Sequence, residues 1–300
     1  MILLNSSTEI LHQLPGLDGV YKQIELAGRV SYKSEDRIDS DSSKKFVDML
    51  ISRGHLCPLE QGTIYLKINT DYYSALDLIE FYDTNPYSRT KFVIPEKITD
   101  SVVYYVTTNA RVIVENDRIE DLKYMCEPTE HHILRIAARI ICDRAVGNEI
   151  VRHRAFSFVQ ESSRYCNYSK DKFGGEVRFI IPHWAELKPG VYSRIWYDVE
   201  EDVNKIIIDN EVHQFIDDIP YTTQMFINNC SDCEDHYLKS IEDGLTPQQA
   251  RNMLPLSLKT EIVMTGFIDD WKHFFDLRTA NDAHPDIQVI AKELKNKIIC

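Results

Sequence analysis

The hydrophobic period changes along this chain, and that change restricts the possible folds more than any other feature of the sequence. Thr63-Ile64-Tyr65-Leu66-Lys67-Ile68 alternates with period two. So do Val102 to Val106 and Arg111 to Val114, on either side of a Thr-Thr-Asn turn, and later Val177 to Ile181; alternation of this kind predicts half-buried strands. Helical spacing appears first at Phe46, Val47, Leu50 and Ile51, after a Ser42 or Ser43 cap and before a Gly54 stop. From Trp196 onward it takes over. Val199, Val203, Ile206 and Ile207 make one stripe, and Phe226, Cys230, Cys233, Tyr237 and Ile241 make a second. Thr246-Pro247 opens a short helix that Pro255 closes. Phe267, Trp271, Phe274 and Arg278 share a face, and a last helix starts at Pro285 with Ile287, Ile290, Leu294 and Ile298 inward. Residues 131–143 stay open between two readings: His131, Arg135, Arg139 and Asp143 share a helical face, whereas Leu134, Ile136, Ala138 and Ile140 share a strand face. Strands early and helices late, without strict alternation, predict an α+β protein: a mixed β-sheet core with helices packed around it and a helix-rich C-terminal half. No repeat or Gly/Ser/Pro linker divides the chain, so one domain over 1–300 is expected.

Composition narrows the function. The 300 residues suffice for a large core without disulfides or a structural metal. Forty-seven acidic against 34 basic residues give a net charge of −13, which repels polyanions over most of the surface, so neither nucleic acid nor an anionic membrane is an expected partner. Seven cysteines, an odd number scattered at 57, 126, 142, 166, 230, 233 and 300, do not make a disulfide framework in a chain this long and predict a reducing cytoplasm. No leader pattern opens the chain, and no window nears the roughly 18 apolar residues of a membrane span.

Common cofactor and metal motifs are missing. The 11 glycines form neither G-x-G-x-x-G nor a Walker loop, which disfavours a Rossmann dinucleotide site and a P-loop kinase. Cys230-x-x-Cys233 falls on apolar helix positions and reads as core; His131-His132 reads as a strand-end or solvent-facing pair, so no metal is expected.

The densest chemical signal is Arg152-His153-Arg154-Ala155-Phe156-Ser157-Phe158-Val159-Gln160-Glu161-Ser162-Ser163-Arg164-Tyr165. Residues 151–170 hold four Lys/Arg against one Glu, a local inversion of the chain's charge. Guanidinium forks beside hydroxyls suit a phosphate. The plainer reading is a solvated basic turn with carboxylate partners elsewhere. Against it, Ile150, Val151 and Phe156 put the charges beside apolar residues, where unpaired cations are costly. Arg251 and Arg278 also stand among apolar neighbours, although a single cation at a helix C-terminus needs no special account. These features alone reach a phosphorylated small molecule and stop there.

Arg152-His153-Arg154, seven residues and then Ser162 match the R-H-R-x7-S signature, and Ser163-Arg164-Tyr165 continues it. Ala250-Arg251-x-x-Leu254-Pro255, Leu277-Arg278 followed by Ala283-His284-x-Asp286-Ile287, and Gly54-His55-x-x-Pro58-Leu59-Glu60 are further blocks in the same order. In these four blocks, over roughly residues 25–290, the chain resembles the flavin-dependent thymidylate synthases. The resemblance implies an α+β homotetramer with active sites shared between subunits. It implies reductive methylation of dUMP to dTMP, with methylenetetrahydrofolate as carbon donor and FAD, reduced by NADPH, as hydride carrier. It also implies a strand at 131–143.

Position by position, the resemblance implies that Arg152 touches both dUMP and FAD, and that His153 and Arg154 hold the flavin and its phosphates. Gln160, Glu161, Ser162, Ser163 and Arg164 would line the dUMP site, with Arg251 reaching it from a neighbouring subunit. Arg278 would bind uracil and favour its ionised ring, so that C5 attacks the methylene carbon without a protein nucleophile. Thr63 and His273 fall at flavin-contact positions. Gln61, Gln160 and His273 depart from the family's usual His, Glu and Asn, and residues 83–130 exceed what compact members need. Two other readings stand beside this one: a non-catalytic nucleotide-binding regulatory protein using the same arginines as a phosphate cradle, and a classical thymidylate synthase, which needs a nucleophilic Cys.

Overall fold

The computed structural model describes residues 1–71, 76–93, 101–215 and 219–299. Cys300 and residues 94–100 of the long 83–130 stretch lie outside them. Strands β1 (Ile2–Leu4) and β2 (Ser7–Leu11) lead into helices α1 (Gly16–Val30) and α2 (Ser42–Ser52). Next come β3 (Thr63–Asp71), α3 (Leu76–Thr84), β4 (Arg89–Val93), β5 (Ser101–Asn109) and α4 (Ala110–Glu115). The signature is framed by β6 (Arg135–Asp143), α5 (Arg144–Ile150) and β7 (Ser157–Gln160). Five short strands follow: β8 (Arg178–Ile180), β9 (Gly190–Val191), β10 (Trp196–Asp198), β11 (Val203–Ile208) and β12 (Glu211–Phe215). The chain closes with α6 (Tyr221–Glu242), α7 (Pro247–Ala250), β13 (Lys259–Phe267), α8 (Ile268–Arg278) and α9 (Pro285–Ile299).

The architecture is α+β. An antiparallel sheet in the order β2-β6-β13-β7 carries α8 and α9, and Trp271, Phe274, Ile287 and Leu294 pack with Ile140, Ile262 and Met264 in one core. A second antiparallel sheet, β3-β5-β4, packs with α1 and α2 around Ile24, Leu50, Leu66 and Tyr104. Strand β1 joins β8 in parallel and β9 antiparallel, under α6. Cys230 is one of its fully buried side chains, as its apolar helix position predicts.

Three stretches differ from the sequence reading. Arg111–Val114 is no strand: β5 runs through Thr-Thr-Asn, and Asn109 Oδ1 then accepts from the Val112 N–H at 3.1 Å, capping α4. Trp196–Phe215 is no helix. It forms the β10-β11-β12 meander, turning at Asp209-Asn210, both with positive φ as a tight hairpin requires. The apolar stripe at Val203, Ile206 and Ile207 is therefore a β-branched strand. Strand β13 gave no sequence signal because all nine of its residues are buried, which removes the alternation; Phe267 ends it rather than lying within the next helix. His132 is also no solvent-facing residue. It is 7% exposed, with Nδ1 accepting from the Thr129 N–H at 3.1 Å and Nε2 at 3.0 Å from the Leu66 carbonyl.

Candidate active site

The sheet delivers the signature to a turn. Asp143 ends β6 and caps α5, its Oδ1 accepting from the Val146 N–H at 2.7 Å. Helix α5 ends at the fully buried Ile150, and the His153 N–H donates to the Ile150 carbonyl at 3.1 Å. Phe156 plugs the far side of the turn, edge-on to Trp271 at 4.9 Å. It fits there because residue 266 is glycine: a Cβ on Gly266 would stand 2.3 Å from the Phe156 ring. Apolar neighbours thus anchor the turn while Arg152 and Arg154 stay exposed.

Helix α8 brings Arg278 to the same place. Trp271 Nε1 donates to the Ile136 carbonyl at 3.1 Å and fixes the helix on β6. Arg278 Nε donates to His153 Nε2 at 2.9 Å, and Nη1 pairs with Glu149 Oε2 at 3.0 Å. Burial, with the Arg278 charge and then His273 adding to it, pushes His153 down to about 4. The ring is therefore neutral near pH 7, with Nε2 accepting and Nδ1–H left as a donor. A cavity of about 420 Å³ is lined by Arg152, His153, Arg154, Asp270, His273 and Arg278. Burial raises the Asp270 carboxyl, whose Oδ2 has no hydrogen-bond partner among the described residues.

The second half of the signature turns elsewhere. Gln160 Nε2 donates to Thr260 Oγ1 at 3.1 Å. Glu161 is 2% exposed; its Oε2 is 2.5 Å from Lys259 Nζ and its Oε1 accepts from Tyr168 at 3.2 Å. Beside it Glu261 meets Lys33 at 2.7 Å and Arg139 at 2.5 Å. Burial raises that carboxyl, but Lys33, Lys259 and Arg139 outweigh it and leave it lowered. The Ser162 N–H donates to the Ser31 carbonyl at 3.0 Å, Ser163 is buried, and Arg164 is exposed over the Tyr165 ring. Tyr165 meets Tyr32 at 4.8 Å and enters a groove of about 1190 Å³ with Ser31, Arg37, Lys45, Arg53 and the Gly54–Pro58 stretch.

The structure therefore gathers Arg152, His153, Arg154, His273 and Arg278, and leaves the other expected residues apart. Thr63 is 5% exposed, its backbone N–H donating to Gln13 Oε1 and its hydroxyl accepting from Arg135; it lines a third cavity. Arg251 is exposed after α7 and lines none of the three. Sequence reasoning missed Glu149 and the groove cations Arg37, Lys45 and Arg53. Glu149 was visible only as the acid three residues before Arg152, and the cations follow no period that marks one face. Among the described residues no three or more His, Cys, Asp or Glu side chains could hold a metal, and no helix is long and apolar enough to cross a membrane.

Fold and cavities together describe an α+β protein whose exposed Arg152, Arg154, Arg164 and Arg251 have no ion-pair partner among the described residues, a cation set suited to phosphate. Residues 122–299, more than half of the chain, match the family model of the thymidylate synthase complementing proteins, and the chain belongs to that family. A flavin-dependent thymidylate synthase of Pyrococcus furiosus is 26% identical over 150 residues, half of this chain and 48% of the relative. A probable flavin-dependent thymidylate synthase of Paramecium bursaria Chlorella virus 1 is 27% identical over 154 residues, half of this chain and 61% of that one. The chain spans about half the length of the curated relatives it matches. A UMP/dUMP methylase of Streptomyces cacaoi, solved with 5-Br dUMP, aligns over 99% of this chain and 92% of its own at 15% identity, with a TM-score of 0.43, too loose a likeness to bear on the site.

Proposed function

We propose that this chain is a flavin-dependent thymidylate synthase that methylates dUMP reductively to dTMP, acting as one catalytic unit over residues 1–300. The observation that carries the reading is the meeting of Arg278 with His153 in a cavity whose other cations, Arg152 and Arg154, have no ion-pair partner among the described residues. The donor set suits a flavin dinucleotide: two exposed guanidiniums for the pyrophosphate, a neutral imidazole offering N–H, and a groove walled by Tyr32 and Tyr165. FAD reduced by NADPH would supply the hydride there, and methylenetetrahydrofolate the carbon.

In this reading Arg152 lies between flavin and nucleotide, and His153, Arg154 and His273 hold the flavin. Ser162, Ser163, Arg164 and Arg251 take the dUMP phosphate, with Gln160 beside them. Thr63 is the flavin contact the chain itself supports least, since its polar groups already have partners. Glu161, held by Lys259 and Tyr168, fixes the loop that carries the two serines. Arg278 places positive charge at the uracil carbonyls and N3, which favours the ionised ring and raises electron density at C5. Glu149 keeps that guanidinium oriented, leaving Nη2, with only a 3.5 Å contact to the Glu149 carbonyl, to donate to a base. A homotetramer with shared sites is supported by the division of the signature between two cavities of a single chain. The six cysteines among the described residues are all free thiols, which fits a reducing cytoplasm.

The test is an absorbance spectrum and a turnover assay on purified protein. The expected result is a yellow protein that forms dTMP from dUMP only when both folate and reductant are present. Protein that takes up no added FAD overturns the reading, and nucleotide binding without turnover transfers it to the regulatory alternative.

A further inference from the structure

The third cavity lies where the β3-β5-β4 sheet meets the β2-β6-β13-β7 sheet, and of the residues given a role above only Thr63 lines it. It measures about 340 Å³, and Gln23, Gln61, Tyr65, Arg135, Ile136 and Lys297 are among its walls. The strands β2 and β3 that help build it precede residue 122, where the family match begins.

Arg135 is a partly buried cation with no carboxylate within ion-pair distance among the described residues. Its Nη1 donates to the Glu60 carbonyl at 3.1 Å and to Thr63 Oγ1 at 3.3 Å, and its Nη2 to Ser157 Oγ at 3.4 Å, all neutral acceptors. The Glu60 carboxylate pairs with Arg111 at 2.6 Å instead. Burial pushes Arg135 down to about 10, so it stays charged at neutral pH. Leaving such a charge uncompensated is costly. Three residues lining this cavity each carry a buried donor that lacks an acceptor among the described residues: Arg135 Nε, Gln61 Nε2 and Gln23 Nε2. Both glutamines are at most 4% exposed, and Gln61 is oriented by Thr265, whose hydroxyl donates to Oε1 at 2.5 Å. Lys297 adds no free charge, since Glu293 and Thr8 already hold its ammonium.

We propose that this cavity binds a small monocarboxylate with an apolar body. One unpaired cation calls for one negative charge, and three N–H donors match the in-plane lone pairs of a carboxylate. A phosphate would bring a second charge that nothing here balances. Leu11 and Ile136 offer the apolar wall. A cavity of roughly 150 Å³ holds benzene, so this one has room for a ring and a carboxylate together.

Calorimetric titration of the full chain with benzoate, and separately with hexanoate, tests it, with benzylamine as the cationic counterpart. At least one of the two acids should saturate one site per chain while benzylamine does not bind. Gln23→Leu should weaken that binding about tenfold, the loss expected for one hydrogen bond to a charged group. Arg135→Met should abolish it, and Arg152→Ala should leave it unchanged, which separates this cavity from the nucleotide cations. Absence of saturable binding of both acids overturns the proposal, as does an affinity unchanged in Gln23→Leu, a result that decides the matter even where Arg135→Met does not fold.

Discussion

Arg278 and His153, 125 residues apart in sequence, are joined by a 2.9 Å hydrogen bond in which the guanidinium Nε donates to the imidazole Nε2. The bond exists only while that nitrogen is unprotonated. His153 is held down to about 4, first by burial and then by the Arg278 charge, against an ordinary value of 6.5. The unfolded chain therefore takes up this proton near pH 6.5, and the native chain only near pH 4. Stability from this residue is full above pH 6.5 and is lost as pH falls toward 4. Urea unfolding between pH 7 and 4 should show wild type losing on the order of 1 kcal/mol more than His153→Asn, the half-exposed ring being screened by solvent. Parallel pH curves for the two proteins would refute the neutral assignment.

Replacing Arg278 separates chemistry from cofactor binding. Arg278→Ala removes the donor aimed at the uracil edge but leaves Arg152 and Arg154 in place. The expected outcome is a fall in dTMP formation of about a hundredfold or more with flavin absorbance retained. Arg278→Lys keeps a charge but cannot span Glu149 and His153 together, so it should recover only a minor part of the rate. Loss of FAD in step with activity would move Arg278 out of the chemical role.

The sequence was readable where a local rule acts alone. Thr246 and Gln249 form the capping box that Thr-Pro-x-x announces, and Gly54, at φ +68°, ends α2 as a glycine stop should. Helix α9 buries Ile287, Ile290 and Leu294, as their spacing requires. Where long-range packing decides, local pattern failed. Strand β13 is covered on both faces, and the Ile206–Ile208 run satisfies either period until Asp209-Asn210 turns the chain. At the site, the resemblance carried Arg152, Arg154 and Arg278, but nothing local shows that Glu149 would hold Arg278. Likewise, only folding brings Tyr32 against Tyr165.

Glu161 and Lys259 offer a test of support beneath the signature. Both are under 9% exposed, and their contact of 2.5 Å is bracketed by Tyr168 and Glu261. Glu161→Ala leaves Lys259 with only the 3.5 Å contact to Glu261, and breaking such a pair should cost about 3 kcal/mol. Denaturant unfolding measures this. The double variant Glu161→Leu with Lys259→Met removes both charges and should regain most of the loss. A single variant as stable as wild type would show that the pair is not what holds this loop.

Gly266 and Phe156 tie the packing of the central strand to the geometry of the turn. A methyl on residue 266 would come 2.3 Å from Phe156 Cδ1 and 2.5 Å from Cε1, so in Gly266→Ala the ring must move. Trp271 closes one side of it at 4.9 Å, and Phe156 itself lines the cavity with Arg152, His153 and Arg154, so a shift of the ring alters that wall. The variant should lose about 1–3 kcal/mol by overpacking and should bind FAD more weakly, although no atom of residue 266 lies on the cavity. Adding Phe156→Leu removes the obstructing ring atoms, and flavin affinity should then recover further than stability does, because the turn regains its place while aromatic contact with Trp271 is lost. Unchanged flavin affinity in Gly266→Ala would uncouple strand β13 from the positions of His153 and its neighbouring arginines.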